Sequence, residues 1–466
     1  MIRDILAKDT ICAIATPLGL GGIGIVRVSG RLSESIAERV FVPSRAQFPL
    51  TSHRLYHGWI RNPRTDALID EVLLSLMKAP HTYTREDVLE INCHSGYAVL
   101  EEILEIVMEC GARLAEPGEF TYRAFLNGRI DLVQAEAVVD IVESRSKKSL
   151  EIARNQLHGA FSEIVQNWLE LLTDFISELE AHVDFAEDID EELDLHVFAA
   201  RLGSELIAPM ERVLDRASRS RIVQEGVRLA IVGKPNVGKS SLLNALLQKD
   251  KAIVTEFAGT TRDVVEDYII LDGILLKIMD TAGIREKADP IEQMGIERTL
   301  KAVESAHVII WVLDRSVPLS NEDFRIFDVV RGRRILGILN KSDLPPAFEE
   351  DEVRRAFGSD FPVVTISVFR RDDVAYVKQL LRQEYLAELV DDSSEAFAIN
   401  RRQEEHLRGC LDHLKEAQTL LEKGEFLELV LYELHHGKKE LEVIVGKGHL
   451  TDDILDRVFS RFCIGK

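Results

Sequence analysis

Cysteine is scarce in this chain and never paired in spacing. The five, Cys12, Cys93, Cys110, Cys410 and Cys463, are scattered, odd in number and without a CxxC. Neither a disulfide framework nor a zinc knuckle is expected. Long apolar runs are missing too: none approaches the ~18 residues a membrane helix needs. The start, Met1-Ile2-Arg3-Asp4, carries an acid and no long apolar stretch, so no secretory signal and a cytoplasmic location are expected. Basic charge is in deficit, with 57 Lys and Arg against 79 Asp and Glu, a net −22. Such a surface repels phosphate backbones and argues against a non-specific nucleic-acid coat protein. An RNA partner would be met at a local patch or carried by a second, more basic protein. No internal repeat is evident.

What is present is a folded, multidomain composition: 466 residues, 46% hydrophobic and 29% charged, enough for two to four domains at roughly 100–200 residues each. Residues 1–127 mix short apolar runs (Ile23 to Val28, Val72 to Met77, Val88 to Asn92) with turns, an α+β pattern. From Asp131 to Gln224 the pattern becomes helical; Leu157, Phe161, Ile164, Trp168, Leu171, Phe175, Leu179 and Val183 predict one long amphipathic helix. It runs into Asp184–Asp194, with seven acids in eleven residues, read as a solvated loop. Strands return at Arg228–Val232, Ile269–Leu271, Leu275–Met279, Val308–Leu313, Ile335–Leu339 and Val363–Ile366, with helical stretches between several of them. That pattern predicts a mostly parallel sheet with crossover helices. After Leu389 leucines recur again at helical spacing. Helical sequence on both sides of one α/β unit implies an insertion: 128–224 with 389–466 as one helical domain, 225–388 as the inserted unit.

Gly233-Lys234-Pro235-Asn236-Val237-Gly238-Lys239-Ser240 matches GxxxxGK[ST] between a predicted strand and a predicted helix. Glycines let backbone N–H groups face the β-phosphate at a helix N-terminus. Lys239 would reach the β- and γ-phosphates and the Ser240 hydroxyl would ligate Mg²⁺, with Ser241 beside it. Three elements follow in order. Gly259-Thr260-Thr261-Arg262-Asp263 offers Thr261 to Mg²⁺; Asp280-Thr281-Ala282-Gly283 offers a carboxylate toward Mg²⁺ through water and an N–H to the γ-phosphate. Asn340-Lys341-Ser342-Asp343 places a carboxylate where guanine N1–H and its 2-amino group can both donate, which adenine cannot match. Together they predict a P-loop GTPase. In the Ras type a glutamine follows the DxxG glycine and orients water; here Ile284 stands there, so hydrolysis needs help from elsewhere.

Asn236, the GTTRD run, Asp280 to Glu286 and the terminal Cys463-Ile464-Gly465-Lys466 resemble the bacterial tRNA modification GTPases of the MnmE (TrmE) family. The likeness extends to Thr16-Pro17, Gly21 to Arg27, Pro117 to Thr121, Arg123 to Arg129 and Asp131 to Ala137, and so covers essentially the whole chain.

The resemblance implies an N-terminal tetrahydrofolate-binding-like dimerisation domain, a helical bundle and an inserted Ras-like G domain. It implies hydrolysis assisted by a potassium ion held by Asn236, Thr255, Phe257 and Thr260, where a fixed cation offsets charge developing between the phosphates. Glu292 matches the family's catalytic glutamate; Lys239 and Arg285 complete the implied catalytic set. Thr255, Thr260, Thr281 and Ala282 join the P-loop residues, Val237 and Gly238 included, around GTP. A 5-formyl- or 5,10-methylene-tetrahydrofolate is implied at Arg27, Glu90, Arg129 and Lys466, the carboxylate suiting pterin donors and the bases the glutamate tail. Cys463 is a candidate reactive thiol, or the tail docks simply by Phe462 and Ile464. The implied assembly is a homodimer joined by the FAD-binding partner MnmG in a heterotetramer, acting on C5 of the tRNA wobble uridine, with no membrane.

Three departures stand out: Arg85 where the family has glycine, Ser95 in Cys93-His94-Ser95-Gly96, and Ser367-Val368 for Ser-Ala. Two other functions fit parts of the pattern: an Era-like GTPase timing ribosome assembly, and a folate-dependent transferase with a regulatory G domain.

Overall fold

The computed structural model describes residues 9–19, 21–184, 194–247, 267–271, 273–279, 302–358, 360–387, 397–448 and 450–465. The first part is a seven-stranded sheet of β1 (Ile11–Ile14), β2 (Gly24–Ser29), β3 (Phe41–Pro43), β4 (Arg54–Arg61), β5 (Leu68–Met77), β6 (Val88–Cys93) and β7 (Arg113–Leu114), in the order 3-4-5-6-2-1-7. Alternation sorts its two faces. Val26, Val28, Leu74, Leu76, Leu89 and Ile91 pack beneath α1 (Ser33–Val40) and α2 (Tyr97–Glu109). The opposite face carries Leu55 and Trp59 of β4 and Leu73 of β5, all exposed, and then Glu90 and Arg27, which are paired across β6 and β2. α3 (Glu119–Leu126) is fixed by an ion cluster: buried Arg123 donates to Asp9 Oδ1 at 2.7 Å and to Glu119 Oε1 at 2.9 Å.

Two of the sequence departures keep their turns. Arg85 holds a left-handed φ of 59°, and its guanidinium donates to the Asn127 carbonyl at 2.8 Å. That conformation costs a residue with a Cβ about 1–2 kcal/mol, offset by the new tie. The Ser95 hydroxyl donates to the Gly21 carbonyl.

Helices α4 (Leu132–Glu143) and α5 (Lys147–Leu157) follow, α4 opened by a capping box between Asp131 and Gln134. The long helix expected from Leu157 onward is shorter than its periodicity. Leu157 ends α5, the chain turns at His158–Gly159, and α6 spans Ala160–Asp184. Gly159 takes a φ of 95°, which interrupts the helix although the apolar spacing continues across it. Of the acidic stretch, 185–193 lies outside the described residues; Asp194 caps α7 (Leu195–Leu202). A π-helical turn, Gly203–Ile207, leads into α8 (Ala208–Glu225).

A six-stranded sheet comes next: β8 (Val227–Val232), β9 (Asp267–Leu271), β10 (Ile274–Met279), β11 (Val308–Asp314), β12 (Ile335–Asn340) and β13 (Val363–Thr365), in the order 13-12-11-8-10-9. Only β9 runs antiparallel. Its helices are α9 (Lys239–Leu247), α10 (Asn321–Val330), α11 (Glu350–Phe357) and α12 (Arg371–Leu380), and buried clusters lie on both faces, as a parallel sheet requires. The chain then returns to helices α13 (Arg401–Lys423), α14 (Leu427–Val445) and α15 (Asp452–Phe459). One apolar core joins Phe161, Trp168 and Phe175 of α6 to Leu407, Leu414, Leu434 and Leu441 of α13 and α14. The helical stretches before and after the second sheet therefore share a core. Among the described residues no helix is long and apolar enough to cross a membrane.

Candidate functional site

The P-loop leaves the carboxyl end of β8, where open parallel sheets bind ligands. Asn236 holds a left-handed φ of 63°, unusual for a residue with a Cβ and typical of strain kept at a working site. Lys239 opens α9 and curls back, its Nζ 2.7 Å from the Gly233 carbonyl and 2.6 Å from that of Lys234. Burial lowers its pKa, so the ammonium gains from any anion that enters the loop. Ser240 and Ser241 lie in the same first helical turn.

Asn340 ends β12 beside the P-loop. Its buried amide donates to the Val237 carbonyl at 2.8 Å, and a Cβ on Gly238 (φ 103°) would occupy the amide's position. Glycine at 238 thus permits the brace between the two motifs. Lys341, also left-handed at φ 67°, sends its ammonium to Asp314 Oδ2 at 2.5 Å. Burial pushes the Asp314 carboxyl up, but hydrogen bonds from Lys341 and Ser316 hold it below its ordinary value. Asp343 accepts from Ser367 Oγ at 2.6 Å, and that bond lowers its pKa. The Val368 N–H donates to Asn340 Oδ1 at 3.3 Å, so the valine of the third departure changes no backbone contact made there.

A second constellation stands on the first sheet. Arg27 Nε donates to Glu90 Oε1 at 2.8 Å, and the guanidinium lies 5.8 Å from the Phe120 ring. Arg129 lies 4.7 Å over Tyr83, whose hydroxyl meets Thr121 Oγ1 at 2.9 Å. Burial raises the Tyr83 pKa, opposed by the hydrogen bond with Thr121 and by the charges of Arg129 and Arg27. The chain's end arrives here as well. Phe459 and Phe462 pack with Tyr122 and Phe125, and Arg27 Nη1 donates to the Gly465 carbonyl at 3.1 Å. Phe462 is 6% exposed but Ile464 is 51% exposed, so of the two residues expected to dock the tail only Phe462 does. Cys463 presents an exposed thiol beside them.

Two family models match the chain: "GTP-binding protein TrmE N-terminus" over residues 10–129 and "MnmE helical domain" over 132–463. A tRNA modification GTPase MnmE of Syntrophobacter fumaroxidans is 50% identical, with 98% of each chain covered. One from Staphylococcus aureus is 38% identical, over 98% of this chain and 99% of its own. The chain belongs to the MnmE family.

Of the residues the MnmE pattern assigns, Asn236 to Ser241, Asn340, Lys341 and Asp343 converge at one end of the second sheet, and Arg27, Glu90 and Arg129 gather near Tyr83 and Phe120. Thr255, Phe257, Thr260, Thr261, Asp280 to Gly283, Arg285, Glu292 and Lys466 lie outside the described residues. Sequence reasoning missed Asp314, which carries no motif of its own, and the supports around the P-loop. Lys234 reaches Asp323 at 2.7 Å and Ser320 Oγ at 3.1 Å, tying the loop to the capping box of α10. The acid three residues into α10, after a serine, was the available signal.

Proposed function

We propose that the chain is a potassium-dependent GTPase that converts GTP and water to GDP and phosphate in the modification of tRNA. It acts at C5 of the wobble uridine, with the FAD-binding partner MnmG and a one-carbon tetrahydrofolate, to install an aminomethyl or carboxymethylaminomethyl group. The observation that carries the nucleotide half is the brace of Asn340 against Val237, which sets the guanine-reading Asp343 and the phosphate loop in one frame. Membership of the MnmE family, over 98% of the chain, supports the tRNA half.

Within this reading Lys239 neutralises the β- and γ-phosphates, Ser240 and Thr261 hold Mg²⁺, and Asn236 with Thr255, Phe257 and Thr260 holds K⁺. The donor set suits such ions: hydroxyl and amide oxygens are hard ligands. Asp280 would hold Mg²⁺ through water, the Gly283 N–H would meet the γ-phosphate, Thr281 and Ala282 would join them in binding GTP, and Glu292 and Arg285 complete the catalytic set. Potassium supplies the positive charge that an arginine finger gives other GTPases.

Arg27, Glu90, Arg129 and Lys466 would hold the tetrahydrofolate, which supplies the one-carbon unit. A half-buried carboxylate clasped by an arginine, next to aromatic rings, fits a flat heterocycle with N–H donors and an anionic tail. The exposed row of Leu55, Leu73 and Trp59 on the same sheet face supports a homodimer through the first sheet. The division into 1–127, 128–224 with 389–466, and 225–388, and residence in the cytoplasm, belong to the same proposal.

Turnover of GTP in potassium and sodium at matched ionic strength tests it. Strong potassium dependence, lost in Asn236→Ala, is expected. Equal rates in the two salts would overturn the potassium mechanism and favour a GTPase that times ribosome assembly.

A further inference from the structure

The most exposed large apolar side chain among the described residues is Phe369, at 82%. It does not sit on a loose loop. Residues Ser367–Arg370 form a turn closed by the Arg370 N–H on the Ser367 carbonyl at 2.9 Å, with Val368 and Phe369 at its tip. Each anchor of the turn is specific: the Ser367 N–H donates to Asp373 Oδ2 at 2.7 Å, Ser367 Oγ to Asp343 at 2.6 Å, and the Val368 N–H to Asn340 Oδ1 at 3.3 Å. Ile366 and Ser367 are buried, so the frame that seats them projects the next ring but one outward.

We propose that Phe369 is a base-stacking residue of the guanine site, its ring lying against a face of the base whose edge Asp343 reads. The inference rests on the nucleotide reading above. Phe369 is the one exposed aromatic ring on the described loops that carry Asn340, Lys341, Asp343 and Ser367, since Phe348, on the loop after Asp343, is buried. The Lys341 ammonium is committed to Asp314, and the ring, 82% exposed against 44% for Leu344, is the most exposed apolar side chain near the base-reading carboxylate. A phenyl ring left in water gains by covering a flat π-system, and a rigid turn loses little entropy in doing so. Stacking is blind to the donors on the edge of the base. It therefore adds affinity for any purine nucleotide, while Asp343 selects guanine.

The test uses the full chain and measures binding of GDP and xanthosine diphosphate. Phe369→Ala should weaken GDP roughly 5- to 150-fold, the range of one aromatic–base stack. Phe369→Trp should bind GDP within about threefold of the parent, and its added indole emission should change when GDP binds. Asp343→Asn should exchange guanine for xanthine preference, and Phe369→Ala in that background should weaken xanthosine diphosphate by the same factor.

GDP affinity within twofold of the parent in Phe369→Ala, beside an intact exchange in Asp343→Asn, overturns the stacking role and leaves the ring to a partner protein. Equal losses in the Ala and Trp variants also overturn it, because the turn rather than the ring would then matter. A failed exchange in Asp343→Asn overturns the base-edge reading itself, and the Phe369 proposal with it.

Discussion

Arg27 in β2 and Gly465 at the chain's end are joined by a hydrogen bond of 3.1 Å from the guanidinium to the carbonyl. The tail can take this path only without a side chain at 465. A Cβ there would stand 2.5 Å from the Ile14 carbonyl oxygen and 2.9 Å from the Ala15 Cα, and its φ of 95° disfavours any residue but glycine. Gly465→Ala is expected to lift the last residues from the sheet. The measurement is digestion by carboxypeptidase, which should remove Cys463 to Lys466 at least several-fold faster than from the parent. Equal rates would mean that Phe459 and Phe462 hold the tail by themselves.

Lys341 and Asp314 form the second tie of consequence. Without Asp314 the lysine loses a charge-assisted bond, and its strained left-handed backbone loses a support. Asp314→Ala should weaken GDP about 5- to 30-fold, the cost of one such bond at roughly 1–2 kcal/mol. The sign of the pH dependence follows from the depressed carboxyl. A lowered pKa keeps the pair intact above the ordinary carboxylate value and releases it only as pH falls through the folded value. GDP affinity in the parent should therefore be flat from about pH 5 to 8 in fluorescence titrations as far as this pair is concerned. A rise or fall centred within that window, absent in Asp314→Ala, would contradict it.

The second sheet was legible in sequence because its strands are buried on both faces and read as unbroken apolar runs. β11, Val308–Asp314, and β12, Ile335–Asn340, are buried throughout. β4, Arg54–Arg61, was not: it alternates Leu55, His57 and Trp59 on an open face with residues facing the core, and no run stands out. The break at Gly159 was invisible for the opposite reason, since Leu157 and Phe161 kept helical spacing across it. Motif residues of the nucleotide site announced themselves. Asp314 and Asp323 did not, because each acts through a neighbour that only the folded loops bring near.

Asp140 of α4 accepts a hydrogen bond of 2.6 Å from Gln224, two residues before Gly226 and the second sheet. Burial, against a partial offset from Arg461, pushes its carboxyl up to about 7. A carboxyl raised by folding penalises the native state wherever it is ionised. The penalty begins above the unfolded value, near 4, and is complete above about 7. Asp140→Asn removes it and leaves an oxygen for Gln224. The variant should melt higher than the parent at pH 8, by about 2–4 °C per kcal/mol regained, and the difference should shrink toward pH 5. A difference independent of pH would show that ionisation of Asp140 is not its source.

Arg145, in the turn between α4 and α5, lies 4.3 Å over the ring of Tyr268 in β9, and the Lys148 N–H reaches the Gly273 carbonyl at 3.5 Å. The helical part thus touches the β9–β10 hairpin of the second sheet. In sequence that hairpin separates Thr255–Thr261 from Asp280–Glu292, the two groups of candidate catalytic residues. A cation–π contact of this kind contributes roughly 0.5–2 kcal/mol. Its loss in Arg145→Ala should raise hydrogen–deuterium exchange in 267–279 by about 2- to 30-fold, while Arg145→Lys should retain part of the protection. If exchange in the hairpin is the same in parent and Arg145→Ala, the contact carries no coupling between the helices and the hairpin. If protection falls and GTP turnover changes with it, Arg145 links the helical bundle to the step in which the nucleotide is hydrolysed.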